Sequence, residues 1–114
     1  MISQRDIVLL SFPFSDLKTQ KVRPVIIISN DDYNQKFEDV IAIPMTSNLD
    51  VRDYVILISN KDLESGKLIK DSKAKIDRVF SVNKNLIKLK IGKIKLGVYK
   101  EIIEILLGLI EPKI

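Results

Sequence analysis

The segment Lys21-Val22-Arg23-Pro24-Val25-Ile26-Ile27-Ile28-Ser29-Asn30 is the strongest indicator of fold in this 114-residue chain. Four consecutive β-branched residues follow the proline, and such a run predicts a strand that is buried on both faces or lies across a barrel. Because proline suits the first position of a strand, Arg23 is expected at the rim of the sheet. A guanidinium at a rim can bind a phosphate through two donors and stays charged at ordinary pH, which favours nucleic acid as a ligand.

Composition sets the size of the protein and the chemistry open to it. A chain of 114 residues predicts one domain over residues 1–114. The 19 Lys and Arg residues against 15 Asp and Glu give a net charge of +4, a mild bias that permits polyanions as partners. The chain has no cysteine and no histidine, which excludes disulfides, thiolate metal sites and histidine acid–base catalysis. Any catalysis must use Arg, Lys, Asp, Glu, Ser, Thr or Tyr.

The N-terminal residues 1–6 lack the charged start and long apolar run of a signal peptide. No apolar run approaches the ~20 residues that a membrane-spanning helix needs. We therefore expect a soluble, cytoplasmic protein without membrane contact.

Apolar runs separated by short polar segments predict β-strands over the first three quarters of the chain. Residues 15–21 are expected to form an exposed loop, and residues 30–39 show no clear element. Pro44, near the end of its run, indicates an edge or a bulge. Residues 61–66 are expected to form a short helical turn that Gly66 ends. The predicted strands cover residues 6–12, 22–29, 40–46, 53–58 and 72–80.

The last quarter of the chain changes period and predicts an amphipathic helix that begins at Leu96. Ile105 and Leu109 widen its apolar face, so the helix either caps the core alone or also contacts a second subunit. Both interpretations stay open at this point. The residues at helical spacing are Leu96, Tyr99, Ile102, Ile103, Leu106, Leu107 and Ile110.

A series of short motifs then occurs in a fixed order. In that order they resemble the PemK/MazF family of toxin endoribonucleases from bacterial and archaeal toxin–antitoxin pairs, over roughly residues 6–109. No single motif is specific, and the resemblance rests on the whole series. The motifs are Asp6-Ile7-Val8, the Phe12-Pro13-Phe14-Ser15-Asp16 loop, Arg23-Pro24, Pro44-Met45-Thr46-Ser47, the segment Gly66 to Ser72, a charged strand carrying Asp77, and the terminal helix.

The resemblance implies a mainly β fold, an SH3-like β-barrel with a C-terminal α-helix, assembled as a homodimer. It implies an endoribonuclease that cuts single-stranded RNA, often messenger RNA, at short sequences and needs no metal or other cofactor. It also implies a cognate antitoxin as partner. We expect a disordered, acidic and apolar antitoxin segment that folds onto the groove near Arg23 and the loop of residues 14–21.

The family pattern places its catalytic arginine at Arg23 and its second principal active-site residue at Thr46, and an acidic residue that lines the site in some members falls on Asp77. Arg23 suits stabilisation of the charged transition state, and Thr46 suits a hydrogen bond to the phosphate. Asp77 either accepts the 2′-hydroxyl proton or orients Lys75 or Arg78. The residues expected to bind substrate are Asp16, Lys18, Lys21, Ser47, Asn48, Lys75 and Arg78.

Two departures from the family pattern stand out. Some relatives carry a histidine or glutamate in the first loop, where this chain offers Asp16 and Lys18, so the general base is left unassigned. Arg5 stands where glycine commonly precedes the first strand, a change expected to affect only a turn.

Structural explanations compete with these assignments. Arg23 can be a rim arginine that pairs with Asp16 or Asp77, and residues 46–48 can be turn residues. Residues 75–78 can form a solvated strand face, and the lysines of residues 84–95 are expected at a solvated surface. A non-enzymatic toxin of the same fold that inhibits a protein such as DNA gyrase, or a degenerate member that only binds RNA, are the alternative functions. Substitution of Arg23 and Thr46 discriminates between the enzyme and the gyrase type.

Overall fold

The computed structural model describes residues 1–13, 20–50 and 52–113. Two helices are described, α1 (Asp31–Lys36) and α2 (Leu96–Ile110), with short 3-10 turns at Asn60–Asp62 and Lys84–Leu86. The described strands are β1 (Asp6–Pro13), β2 (Gln20–Ile27), β3 (Asp39–Thr46), β4 (Val55–Ile58), β5 (Leu63–Gly66), β6 (Ser72–Lys75), β7 (Phe80–Asn83) and β8 (Ile87–Ile94).

The strands form one antiparallel sheet in the order β4-β6-β3-β2-β1-β8-β5, with β7 also paired to β3. The sheet curls into a half-barrel, and α2 packs on its core, so the prediction of a mainly β fold with a C-terminal helix is confirmed. The β2 run is buried on both faces, as predicted. Ile26 belongs to the core cluster that includes Ile102 of α2, whereas Val25 and Ile27 belong to the cluster on the other face.

Pro24 and Pro44 lie inside strands, at places where the sheet lacks one neighbour. Pro24 is inside β2 and does not open it, because β2 begins at Gln20 and not at residue 22. Pairing with β3 covers only Val25–Ile27, so the first half of β2 is an edge on that side and tolerates the missing N–H. Pro44 lies between the part of β3 that pairs with β7, which ends at Ala42, and the part that pairs with β6, which begins at Met45.

The single strand predicted over residues 72–80 is wrong. The structure has β6, a turn at Ile76 and Asp77, and then β7 on a different part of β3. The alternation of apolar and charged residues continues through this turn because Ile76, at 0% exposure, still points into the core. The period-2 pattern alone therefore could not locate the break.

Two further elements differ from the prediction. Residues 61–66 form the end of a 3-10 turn and then β5, because the segment pairs with β8. Residues 31–36, given no element, form α1. The signal for α1 was present, since the Asn30 side chain accepts a hydrogen bond from the Tyr33 N–H and acidic residues fill the first turn.

Strand β8 was not predicted, because its lysines were assigned to a solvated surface. They alternate with apolar residues, which is the pattern of a strand with one exposed face. Two of them also reach the buried carboxylate of Asp6, which is 0% exposed: Nζ of Lys90 lies 3.0 Å and Nζ of Lys93 lies 3.8 Å from Oδ1. These lysines therefore have a structural role beside their surface charge.

Helix α2 presents two apolar faces. Val98, Tyr99, Ile102, Ile105 and Leu106 face the core. Three residues of the predicted stripe lie on an adjacent face and stay exposed, namely Leu96 at 51%, Leu107 at 47% and Ile110 at 67%. The wide apolar arc thus comprises a core contact and an uncovered strip. No described helix has the length and hydrophobicity to cross a bilayer.

Arg5 lies in the turn before β1 with a positive φ of 78°, a conformation that glycine adopts without strain. Its guanidinium donates to the Ile94 carbonyl at 2.9 Å and to Glu64 at 3.2 Å. The arginine therefore compensates for the strained backbone with contacts to β5 and β8.

Candidate active site

Strands β2 and β3 bring Arg23 and Thr46 together. Their antiparallel register pairs Val25 with Pro44, and extension of it by two residues places Arg23 opposite Thr46 on the same face of the sheet. The two side chains line one depression of about 300 Å³, together with Val22, Pro24, Met45 and Ser47. The buried β2 run therefore holds the predicted catalytic pair at a rigid rim.

Arg23 is exposed, and Thr46 is half-buried. No described residue forms an ion pair or a hydrogen bond with the Arg23 side chain. Of its two alternative partners, Asp77 binds Arg52, and Asp16 lies outside the described residues. The Thr46 hydroxyl accepts a hydrogen bond of 3.2 Å from the Asn48 N–H and keeps its own proton to donate. This arrangement offers a cation and a hydroxyl donor to an anion in the depression.

A second depression, of about 290 Å³, adjoins the first. Thr46 lines both, so the two share a wall. Three cationic side chains and one carboxylate, that of Asp50, line the second depression. Its other lining residues are Asn48, Arg52, Val55, Lys73 and Lys75.

Arg52 reaches this depression because of the β4–β6 ladder. The ladder pairs Val55 with Lys75, and a hydrogen bond of 3.0 Å from the Ile76 N–H to the Tyr54 carbonyl extends it. The chain before β4 thereby runs beside the turn after β6. Arg52 and Asp77 meet there in a bidentate ion pair, with Nη1–Oδ1 at 2.8 Å and Nη2–Oδ2 at 2.6 Å.

This ion pair fixes the charge of both groups. The hydrogen bonds from Arg52 lower the pKa of Asp77, and the same bonds raise the pKa of Arg52. Arg78 adds a weaker contact, with Nε 3.8 Å from Asp77 Oδ2. A carboxylate with a lowered pKa and both oxygens engaged is a weak proton acceptor.

Lys73 holds the segment that follows β3. Its Nζ donates to the carbonyls of Leu49 and Asp50, each at 3.0 Å. The Asp50 N–H in turn donates to the Asn48 side chain at 3.1 Å. These contacts fix one wall of the second depression.

Comparisons with known proteins show the family of the chain. A model of the PemK-like, MazF-like toxins of type II toxin–antitoxin systems matches residues 3–109. The chain belongs to the PemK/MazF toxin family. No curated protein matches the sequence.

Solved structures with the PemK/MazF fold resemble this chain closely in shape and distantly in sequence. A MazE–MazF structure from Deinococcus radiodurans has a TM-score of 0.78 at 18% identity, with 95% of this chain and 94% of that chain covered. A mycobacterial endoribonuclease in complex with its cognate antitoxin has a TM-score of 0.75 at 16% identity, with 98% and 100% covered. The Mycobacterium tuberculosis toxin MazF-mt6 has a TM-score of 0.73 at 16% identity, with 91% and 94% covered. At these identities the likeness shows the fold.

The residues predicted from the PemK/MazF resemblance divide between the two depressions. Ser47 lines the first depression with Arg23, and Asn48 and Lys75 line the second. Arg78 lies beside Asp77 with its side chain 66% exposed. Asp16 and Lys18 lie outside the described residues, as does the side chain of Lys21 on β2.

The PemK/MazF motifs did not reveal Arg52 and Lys73. Lys73 alternates with Lys75 on β6, and the period-2 pattern places both on the charged side of the strand without giving Lys73 a role in the site. Arg52 gave no comparable signal, because its pairing with Asp77 depends on the β4–β6 ladder.

Proposed function

We propose that this PemK/MazF-family toxin is a metal-independent, sequence-selective endoribonuclease that cleaves single-stranded RNA, messenger RNA included. The observation that supports the proposal most is that Arg23 and Thr46 line one depression. A cation and a hydroxyl donor at a rigid, accessible rim suit a phosphodiester of a flexible single strand.

In the proposed reaction the 2′-oxygen of a ribose attacks the adjacent phosphorus and loses its proton. The P–O5′ bond breaks, which leaves a 2′,3′-cyclic phosphate, and the departing 5′-oxygen takes up a proton to become a 5′-hydroxyl. Arg23 stabilises the negative charge that builds up on the phosphorane oxygens, since a guanidinium stays charged and is a poor proton donor. Thr46 donates to a phosphate oxygen and fixes the linkage for attack. The group that removes the 2′-proton is left unassigned.

The proposal includes two protein partners. One is a cognate antitoxin, as in the MazE–MazF structure from Deinococcus radiodurans. The other is a second copy of the chain, since the exposed strip of Leu96, Leu107 and Ile110 on α2 is typical of a surface that another subunit covers.

The test is cleavage of a long single-stranded RNA by the purified protein in excess EDTA, with Arg23→Ala and Thr46→Ala in parallel. We expect discrete cuts with 2′,3′-cyclic or 3′-phosphate ends, and loss of cutting in either variant. Lys61→Ala, which removes an exposed cation in the 3-10 turn at Asn60–Asp62, is the matched control and should cut like the wild type.

Other outcomes separate the alternatives. RNA binding with a steep salt dependence and no cutting by the folded wild type would indicate a member that only binds RNA. Toxicity in cells that survives both substitutions would indicate a protein target such as DNA gyrase.

A further inference from the structure

The second depression has charge that the proposed chemistry at Arg23 does not use. Arg52, Lys73 and Lys75 surround it, and Thr46 joins it to the first depression. Because one strand of RNA carries a phosphate at every nucleotide, a strand held at Arg23 presents neighbouring phosphates to any adjacent cationic site.

Arg52 retains the donors that such a phosphate needs. Its guanidinium has five N–H groups, of which Asp77 takes one on each terminal nitrogen, and its side chain is 34% exposed. Lys75 makes no ion pair with any described residue. Lys73 is committed to the Leu49 and Asp50 carbonyls, so it contributes charge and holds the wall.

We propose that the second depression binds a non-scissile phosphate of the RNA through Arg52 and Lys75, and that Asp77 positions Arg52 for this contact in place of serving as the general base. This inference rests on the proposed ribonuclease function. The sequence left two roles open for Asp77, acceptor of the 2′-hydroxyl proton or orienting residue. The inference assigns the second role, and Arg52 is the residue that Asp77 orients.

The experiment uses oligonucleotides of the mapped cleavage sequence in which one non-scissile phosphate at a time is replaced by a neutral methylphosphonate. For the wild type we expect one linkage whose neutralisation lowers kcat/KM about tenfold, the loss of one charge-assisted contact. Arg52→Ala should lower kcat/KM by a similar factor on the all-phosphate RNA, through KM, and should be insensitive to neutralisation of that one linkage. This lack of additivity identifies the contact between Arg52 and that phosphate.

Asp77→Asn separates a positioning role from a base. A positioning residue should reproduce the Arg52→Ala pattern in a milder form, with kcat nearly unchanged, and Asp77→Glu should restore most of the lost affinity. A general base would instead lose kcat on every oligonucleotide and alter the acidic limb of the pH profile. Lys61→Ala is the control and should keep full sensitivity to the linkage.

Failure of the inference differs from failure of the proposed function. If the wild type cuts RNA but Arg52→Ala lowers kcat/KM by the same factor whichever linkage is neutralised, or does not lower it, the phosphate site is contradicted and the ribonuclease stands. If the wild type binds RNA without cutting it, the binding affinity of each variant is measured for the same oligonucleotides. Neutralisation of one linkage should then weaken binding to the wild type and not to Arg52→Ala, and the slope of log affinity against log salt concentration should fall by about one in Arg52→Ala. If the wild type neither cuts nor binds single-stranded RNA, both proposals are contradicted.

Discussion

Arg52 and Asp77 form a bidentate ion pair, at 2.8 and 2.6 Å, between the chain that leads into β4 and the turn that follows β6. It joins two segments that the sheet alone holds only through the β4–β6 ladder. The pair thus links the wall of the second depression to the strand that carries Lys73 and Lys75.

The ion pair predicts a pH dependence of stability. Because the pKa of Asp77 is lower in the folded protein than in the unfolded chain, its contribution is complete above the ordinary aspartate range, near pH 4, and is lost as the pH falls through the folded value. Asp77→Asn should lower Tm at pH 7 by at most about 5 °C, since the pair is solvent-accessible. Thermal unfolding of both proteins from pH 7 to pH 2 should show this difference shrink below about pH 4.

Asp71→Asn provides the control, because Asp71 is exposed and makes no ion pair among the described residues. A difference between wild type and Asp77→Asn that stays constant down to pH 2 would contradict the stabilising role of the pair.

The positive φ of Arg5 predicts an unusual order of stabilities. Arg5→Ala loses the contacts to Ile94 and Glu64 and keeps the strained backbone, whereas Arg5→Gly loses the same contacts and relieves the strain. Arg5→Gly should therefore be more stable than Arg5→Ala by about 1 kcal/mol in urea unfolding. Equal stability, or a more stable alanine variant, would show that the turn is not strained.

Tyr99 connects α2 to the end of β2. Its hydroxyl donates to the Ile28 carbonyl at 2.8 Å and accepts from the Gln4 side chain at 2.9 Å, and burial raises its pKa. Tyr99→Phe should lower the free energy of unfolding by about 1 kcal/mol, measured by urea titration. Tyr54→Phe, at a ring that is 51% exposed, should change it little. A loss of equal size in both variants would contradict a specific role for the Tyr99 hydroxyl.

The exposed strip of α2 predicts the assembly state. If a second copy covers the strip, Leu107→Glu combined with Ile110→Glu should convert a dimer into a folded monomer, because two charges would be buried without partners. Analytical ultracentrifugation measures the change. Glu104→Gln, at an exposed position elsewhere on α2, should stay dimeric. A monomeric wild type, or a dimeric double variant, would exclude the strip as the interface.

Local patterns in the sequence were sufficient for the buried strand, for the terminal helix and for two residues, Arg23 and Thr46, that the fold brings to one depression. The β-branched run after Pro24 predicted burial on both faces, and the motif order pointed to Arg23 and Thr46, which the structure brings to one depression. The preference of a residue for a strand is a local property, so a single sequence carries it.

Features that depend on pairing between distant segments were not predictable in this way. The break between β6 and β7 was hidden because Ile76 remains buried in the turn. The face of α2 that meets the core depends on how the helix docks, so helical spacing alone could not show that Leu96, Leu107 and Ile110 lie beside that face. Arg52 became a candidate only once the β4–β6 ladder placed it beside Asp77.

The most direct test of the account is the single-turnover cleavage rate at the mapped RNA site, in excess EDTA, for the wild type, Arg23→Ala, Thr46→Ala and the double variant. If the two residues act on one phosphate, each substitution should lower the rate by about 100-fold or more, and the double variant should be little slower than the slower single variant. Folded single variants that cleave at the wild-type rate would contradict the assignment of this depression as the active site.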